Sequence, residues 1–255
     1  MPTAFITGAT AGIGAAFARR LASDGFDLVL LARDTERLER TAARLSGEYA
    51  VRAETLTADL STEEGLTAAE ERVRKDVDLL VNNAGFANKG VFLNVPVSDE
   101  LTMLKVHCEA VLRLTHAVLP VMLERGRGGV INVSSVSAFA TRGTYGASKA
   151  WAVNFSQGVA ADIERRSQGR VRVMALCPGF VRTEFHDRAQ MDMSDVPGFM
   201  WLDKDDVVDA ALRDLRRGVP VSVPSPQYKA IVTAGRLLPR RLLARVSSTT
   251  GRKYK

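Results

Sequence analysis

The chain has 255 residues, of which 46% are hydrophobic, and this is enough to build one core in a single domain. Its two cysteines, Cys108 and Cys177, are not part of a CxxC pair. This argues against a disulfide scaffold and a cysteine-based zinc site, so we predict no metal. We expect a cytoplasmic location, because the N-terminus lacks a signal-peptide pattern and no run reaches the roughly 18 apolar residues of a membrane span.

The net charge of +6 is concentrated at the C-terminal end of the chain. Residues 228–255 contain eight basic residues and no acidic one, which leaves a net charge of −2 for residues 1–227. A nucleic-acid-binding domain would spread basic charge over one face of its fold, so we predict no nucleic-acid partner. We divide the chain into a domain at 1–227 and a basic C-terminal extension at 228–255.

Six apolar segments have the length and composition of β-strands: TAFITG, DLVLLAR, YAVRAETLTADL, VDLLVNNAG, GVINVSS and RVRVMALCPG. Helical patterns separate them, including two long ones at 99–125 and 145–167. Strands that are apolar on both faces and alternate with helices indicate a parallel sheet covered on both sides. The predicted fold class is therefore a doubly wound, Rossmann-like α/β sheet, which binds ligands beyond the carboxyl ends of its strands.

Helix ends are predicted from glycines and capping residues. Gly25 and Gly47 follow the first two helical patterns and are predicted to end them. Ser61 with Glu64 three positions later is predicted to form a capping box at the start of the third helix.

The first strand ends in TGATAGIG, a glycine-rich turn between a strand and a helix. Backbone N–H groups in such a turn approach a phosphate closely, and the helix N-terminus adds favourable charge. The alternative is a tight turn that requires glycine for its backbone alone. The spacing is TGxxxGxG, which differs from the GxGxxG fingerprint. The predicted phosphate-binding residues are Gly8, Thr10, Gly12, Ile13 and Gly14.

The second and third strands end in residues that would contact the adenosine half of a dinucleotide. An acidic residue after the second strand holds the ribose of NAD, whereas arginine suits the 2′-phosphate of NADP. Here Ala32 and Arg33 favour NADP(H); alternatively Arg33 is a solvated loop charge, and Asp34 caps the next helix. Asp59, followed by Leu60, either accepts a hydrogen bond from an adenine amine or caps the helix after it.

The fourth and fifth strands end in NNAG and NVSS. The small residues of NNAG would let a cofactor lie against the backbone at Asn83, Ala84 and Gly85. Alternatively, the asparagines satisfy only the amides of the turn. Ser135, at the end of NVSS, stands ten residues before Tyr145.

Tyr145 and Lys149 stand four residues apart in TYGASKA and share one face of a predicted helix. An unperturbed tyrosine titrates near 10, and lowering this pKa by about three units requires roughly 4 kcal/mol. A nearby ammonium favours the phenolate and supplies part of this energy. The alternative is ordinary helix surface, but beside TGxxxGxG and NNAG we favour a catalytic pair.

Together these motifs resemble the short-chain dehydrogenase/reductase family over about residues 3–225. The resemblance is carried by TGxxxGxG at 7–14, NNAG at 82–85, Ser135, the YxxxK pair, and Pro178–Gly179 with Thr183.

The resemblance implies a role for each matching residue. Tyr145 would be the general acid/base, and Lys149 would lower its pKa and bind the nicotinamide ribose. Ser135 would hydrogen-bond the substrate carbonyl, while Val181 and Thr183 in PGFVRT would hold the nicotinamide carboxamide. The reaction implied is hydride transfer between NADP(H) and a carbonyl/alcohol pair. The long helices at 99–125 and 145–167 would pair across a two-fold axis in a homodimer or homotetramer.

Two departures from the family pattern lie near the predicted catalytic residues. Relatives often carry an asparagine in the fourth helix that holds a proton-relaying water, and His107 stands in its place in VHCEA. His107 is either a member of such a relay or a packing residue. The interval of ten residues between Ser135 and Tyr145 is shorter than in many relatives, so Ser134 and Ser137 are alternatives to Ser135.

The third departure is the C-terminal extension. VPVSVPS is predicted to be a last strand, and the apolar residues after it alternate with arginines, with Pro239 beginning or breaking a helix. This pattern is typical of a basic amphipathic segment that contacts an acidic membrane surface or a partner. The alternative is a helix that packs on the body of the protein.

Residues 184–204 form the segment where the family has its substrate loop. Phe185, Met191, Met193, Phe199, Met200 and Trp201 make it apolar. We predict either a lid over a hydrophobic carbonyl substrate, such as a steroid-like or fatty acyl ketone, or a filling of the core. Two other functions remain as alternatives: a non-catalytic dinucleotide-binding sensor, and an epimerase or dehydratase on the same scaffold.

Overall fold

The computed structural model describes residues 1–90, 92–140, 143–185, 193–194 and 196–237. Seven parallel strands form one sheet in the order β3-β2-β1-β4-β5-β6-β9. Their bounds are β1 (Thr3–Thr7), β2 (Asp27–Ala32), β3 (Ala53–Thr57), β4 (Leu79–Asn82), β5 (Gly128–Val133), β6 (Val171–Leu176) and β9 (Val221–Ser222). Two short strands, β7 (Phe180–Val181) and β8 (Trp201–Leu202), pair separately.

Eight α-helices lie among the described residues. Their bounds are α1 (Gly12–Ser23), α2 (Thr35–Tyr49), α3 (Glu63–Val73), α4 (Val97–Leu104), α5 (Ala110–Arg125), α6 (Gly143–Ser167), α7 (Lys204–Arg216) and α8 (Pro226–Leu237). A π-helical turn, Lys105–Glu109, joins α4 to α5, and a 3₁₀ turn, Val136–Phe139, follows β5. The predicted doubly wound α/β fold is confirmed.

Both faces of the sheet are covered by helices. Phe17 of α1 and Leu38 of α2 are fully buried on one face, where α7 also packs. Leu66 of α3 and Leu114 of α5 are fully buried on the other. Burial of each such side chain contributes about 1.5–3 kcal/mol. The strand order reverses between β1 and β4, and the crevice at this switch point is the usual ligand site of such a sheet.

Two predicted helix boundaries are wrong. The N-cap of α3 is Thr62, whose hydroxyl accepts from the Gly65 N–H, and Ser61 lies one residue earlier, where its N–H and hydroxyl donate to the Asp59 carboxylate. The helix α2 continues past Gly47 to Tyr49, since glycine lowers helix stability without breaking the helix. Gly25, by contrast, follows the end of α1 with a positive φ of 80°.

The stretch Val97–Arg125 has the length and hydropathy of a membrane span, which the sequence prediction did not anticipate. However, 56% of its apolar window is buried within the fold, as expected for a core helix. The π-helical turn interrupts this stretch at His107.

The helix α8 crosses the predicted division of the chain between residues 227 and 228. Tyr228 and Val232 of this helix are buried against the body of the protein. The basic amphipathic pattern beyond it, including Pro239, lies outside the described residues, and membrane contact through this tail stays a prediction.

Candidate active site

The glycine-rich turn leads from the carboxyl end of β1 into α1. Gly8 and Gly12 have positive φ angles of 67° and 54°, which side chains other than glycine rarely tolerate. The N-cap of α1 is Ala11, and no side chain hydrogen-bonds to its first turn. The helices α2, α3 and α7 all have a side-chain cap. The first turn of α1 therefore offers N–H groups to an external acceptor.

The carboxyl ends of β1 and β4 are held together by Thr7 and Asn83. The Thr7 hydroxyl oxygen accepts from the N–H groups of Asn83 and Ala84, at 2.9 Å each. The Asn83 amide donates to the carbonyl oxygens of Thr7 and Gly8, at 3.0 and 3.2 Å. A Cβ at Gly14 would overlap the Gly8 carbonyl and this amide. Asn83 thus fixes the turn at the switch point.

The end of β2 presents Arg33 on the surface. Its side chain is 72% exposed and lies 3.9 Å from the Asp59 carboxylate. The Asp34 carboxylate accepts from the Arg37 N–H at 3.0 Å and caps α2. Burial raises the pKa of Asp59, but hydrogen bonds from Ser61 and the charge of Arg33 outweigh burial and keep this pKa below its usual value. An anion at the end of β2 would meet the Arg33 guanidinium.

Lys149 lies inside the protein, beneath the predicted catalytic tyrosine. Its side chain is buried, and its ammonium donates to the Val133 carbonyl at 3.1 Å. Burial lowers the pKa of Lys149 to about 8, so the amine is mostly charged at neutral pH. The nitrogen lies 5.8 Å from the centre of the Tyr145 ring, where a positive charge stabilises a phenolate.

Two aromatic rings contact Tyr145, and a third ring contacts one of them. The His107 ring stands edge-on at 5.8 Å from the Tyr145 ring, and Phe86 contacts the other side of His107 at 5.9 Å. Phe185 lies 6.0 Å from Tyr145 on the segment after β7. One wall of the site beside Tyr145 is therefore apolar.

Both ring nitrogens of His107 have partners in the protein. Nε2 accepts from the Phe86 N–H at 3.1 Å, and Nδ1 lies 2.9 Å from the Ser148 hydroxyl. Because the Ser148 hydroxyl donates to the Tyr145 carbonyl, Nδ1 must carry the proton. Burial, aided by the charge of Lys149, holds the pKa of His107 well below its usual range. These contacts favour positioning of Tyr145 over proton relay.

The structure distinguishes the serines that follow β5. Ser134 is buried, and its hydroxyl donates to the Lys149 carbonyl at 2.7 Å. Ser135 is half-buried, and its hydroxyl oxygen accepts from the Ser137 N–H at 3.1 Å. A hydroxyl that accepts can still donate its own proton to a carbonyl. This difference supports Ser135 over Ser134 as the substrate contact.

A chain of buried polar side chains crosses the sheet beside the site. The Asn82 amide donates to Asn132 at 2.9 Å and to Thr115 at 3.2 Å, and the Asn132 amide donates to Ser156 at 3.0 Å. The side chains of all four residues are buried, and Asn82 is the most exposed of them at 4%. These hydrogen bonds connect strands β4 and β5 to helix α5 and to helix α6, and α6 carries Tyr145.

The segment after β6 turns back toward the glycine-rich turn. A Cβ at Gly12 would lie 3.2 Å from the Thr183 side chain, so Thr183 stands beside the start of α1. Glu184 forms a two-point ion pair with Arg37 of α2, at 2.6 and 3.1 Å. Residues 183–184 thus lie along the carboxyl edge of the sheet, between α1 and α2.

The apolar residues of 184–204 do not act as one group. Phe185 faces Tyr145, whereas Trp201 packs on Phe180 in the small sheet, with ring centres 5.9 Å apart. Met200 packs in the core near β9, and Phe199 is exposed. Met191 lies outside the described residues. The core interpretation therefore applies to Met200 and Trp201, and the lid interpretation stays a prediction.

Some site residues gave no local signal in the sequence. Ser148 and Tyr228 act on backbone atoms of other residues. Thr7 and Asn132 lie in the motifs TGxxxGxG and NVSS, but the sequence patterns assigned neither of them a role of its own. Their importance for the site becomes visible only once the contacts of the folded chain are known.

The residues at the carboxyl edge of the sheet fit a dinucleotide. The first turn of α1 lacks a side-chain cap, the turn before it contains two glycines with positive φ, and an exposed guanidinium follows β2. Among the described residues, no group of three His, Cys, Asp or Glu side chains is arranged to hold a metal ion.

Comparisons with known proteins agree with this fit. The family model for short chain dehydrogenases matches residues 2–194. Serine 3-dehydrogenase of Rhizobium radiobacter is 37% identical over 187 residues, 72% of this chain and 73% of that protein. A short-chain dehydrogenase from Sphingobium yanoikuyae in complex with NADPH aligns with a TM-score of 0.84 and 36% identity, over 92% of this chain and 94% of that chain. The bulky-bulky ketone specific alcohol dehydrogenase from Comamonas testosteroni aligns with a TM-score of 0.80 and 31% identity, over 93% and 92%.

The family match and the relatives show a nicotinamide-dependent oxidoreductase that acts on alcohol and carbonyl groups, and the sheet order agrees with this class. The chain belongs to the short-chain dehydrogenase family. The family resemblance stated from the sequence is thus confirmed.

Proposed function

We propose that the protein is an NADP(H)-dependent oxidoreductase that interconverts a hydrophobic ketone and its secondary alcohol. The observation that carries this proposal is the buried Lys149 ammonium 5.8 Å from the Tyr145 ring, at the switch point of the sheet. A buried positive charge at that distance favours loss of the phenolic proton.

The proposed roles follow from the contacts of each residue. Tyr145 donates its phenolic proton to the carbonyl oxygen during reduction and takes it back during oxidation. Lys149 stabilises the phenolate, and Ser135 donates a hydrogen bond to the same carbonyl oxygen. His107 holds the Tyr145 backbone through Ser148. The bound dinucleotide supplies or accepts the hydride.

The other predicted cofactor contacts remain proposals at their places in the fold. The glycine-rich turn would hold the pyrophosphate, and Asn83, Ala84 and Gly85 would line the crevice beside it. Val181 and Thr183 would hold the carboxamide after the turn at Pro178–Gly179. Asp59 and Leu60 would lie against the adenine.

A hydrophobic ketone is the proposed substrate because the rings of Phe185 and His107 both pack against Tyr145 and give the site an apolar wall. The similarity to a bulky-bulky ketone specific alcohol dehydrogenase supports the same choice. Oxidation of NADPH is to be followed with aryl, steroid-like and β-ketoacyl ketones and with small polar ketones. We expect kcat/KM for the best hydrophobic ketone to exceed that of acetone-sized polar ketones by about tenfold or more. Faster turnover of the polar ketones would reject this substrate class, and no turnover of any ketone would reject the reaction.

Coenzyme choice is proposed to depend on Arg33, because the only carboxylate directly after β2, Asp34, is used as a helix cap. Replacing Arg33 by serine should raise the Kd of NADPH roughly tenfold or more and leave the Kd of NADH unchanged, since only NADPH carries the 2′-phosphate. Arg44→Ser, at the far end of α2, is the matched control. Equal Kd values for NADPH in Arg33→Ser and the parent protein, by fluorescence titration, would contradict the proposal.

A further inference from the structure

Tyr228 of α8 connects the C-terminal helix to both strands of the small sheet. Its hydroxyl accepts from the Phe180 N–H at 3.0 Å and donates to the Met200 carbonyl at 2.8 Å. Phe180 begins β7, directly after the turn at Pro178–Gly179, and Met200 immediately precedes β8. The Tyr228 hydroxyl therefore sets the spacing between the turn at Pro178–Gly179 and the start of β8.

The Tyr228 ring also explains the glycine at position 179. Gly179 does not have a positive φ, so its backbone does not require glycine. A Cβ at this position would instead overlap the Tyr228 ring. The ring therefore lies directly against the turn and takes the space of a side chain.

Tyr228 packs in a cluster with two elements that carry predicted site residues. Its apolar cluster contains Val153 of α6, the helix that carries Tyr145. Val136 and Phe139, from the 3₁₀ turn that Ser135 caps, pack on the same cluster. Tyr228 is only 2% exposed, and burial raises the pKa of its phenol, so the hydroxyl keeps its proton for Met200.

We propose that Tyr228 is a positioning residue for catalysis, holding the turn at Pro178–Gly179 and the start of β8 in one fixed arrangement beneath the substrate. Its effect on catalysis is indirect, because its hydroxyl bonds, within the described part of the chain, to the Phe180 and Met200 backbone. The kinetic part of this inference rests on the proposed reduction of ketones by NADPH; the placement of the ring does not.

The kinetic test compares Tyr228→Phe with Val232→Ala. Val232 is buried in the same helix, so its truncation weakens the docking of α8 and leaves the hydroxyl in place. We expect Tyr228→Phe to lower kcat/KM for the best ketone roughly tenfold, mainly through kcat, because small displacements in a reacting geometry are costly. Val232→Ala should retain kcat at a temperature where both variants are folded. Unchanged kcat in Tyr228→Phe, or an equal loss in both variants, would overturn the proposal.

The placement of the ring is tested without cofactor or substrate. Gly179→Ala is made in the parent protein and in a Tyr228→Ala background, and urea unfolding midpoints are compared. We expect a clear drop in the parent protein and little change in the second background, where the cavity accepts the new methyl group. Equal drops in both backgrounds would overturn the proposal. If the parent protein reduces no ketone, the proposed function fails, while this measurement still decides whether the Tyr228 ring lies against Gly179.

Discussion

Replacing Tyr145 by phenylalanine is expected to lower kcat for ketone reduction by roughly 10²–10⁴-fold, the usual contribution of a positioned general acid. The ring would remain between His107 and Phe185, so the apolar wall of the site keeps its shape. Only the proton donor is lost. The Kd of NADPH should therefore stay within about twofold of the parent value, since removing an interaction that acts mainly in the transition state changes ground-state binding little.

Tyr49→Phe is the matched control for this substitution, because Tyr49 is half-buried near the C-terminal end of α2 and far along the chain from the site. It should retain full activity. The measurements are steady-state rates across pH and a fluorescence titration with NADPH. Activity of Tyr145→Phe within about threefold of the parent protein would remove Tyr145 as the proton donor.

Replacing Gly14 by alanine is expected to destabilise the protein by about 3 kcal/mol and to prevent dinucleotide binding. The new methyl group would overlap the Gly8 carbonyl and the Asn83 amide, and a backbone oxygen has little freedom to move aside. Relief would require α1 to shift away from the turn. The amide contacts that join β1 to β4 would then be strained as well.

Gly47→Ala is the control for Gly14→Ala, since a Cβ at this helical glycine meets nothing within 4 Å. It should be neutral or raise the free energy of unfolding by about 0.5 kcal/mol, because alanine has the higher helix propensity. Urea unfolding measures both variants. A Gly14→Ala protein as stable as the parent would show that the close approach of α1 to the turn is not required.

Sequence patterns identified the fold and the positions of the strand ends because buried parallel strands and their helices have distinct periodicities. The same patterns led to Tyr145 and Lys149, since four residues on a helix determine a shared face without any knowledge of the rest of the fold. The sequence patterns also favoured Ser135, and the contact that supports this choice, from the Ser134 hydroxyl to the Lys149 carbonyl, is visible only in the folded structure.

Other features depended on contacts between distant residues. The two bonds of Tyr228 span 48 and 28 residues, and the pair of Arg37 with Glu184 spans 147. The helix-cap prediction was wrong by one residue, because the Thr62 hydroxyl accepts from the Gly65 N–H while Ser61 only donates to Asp59 in the turn before the helix. His107 was recognised as unusual, but its two partners became known only from packing.

The amides of Asn82 and Asn132 have a consequence for how the strands find each other. These two residues face each other where β4 and β5 pair, and each has further partners on a helix. A slip of one residue between the strands would leave both amides buried without acceptors, at a cost of about 1–3 kcal/mol for each lost partner. Hydrophobic strands as uniform as LLVN and VINV discriminate poorly between alignments. The paired amides therefore select against mispaired sheets during folding, in addition to supporting the finished site.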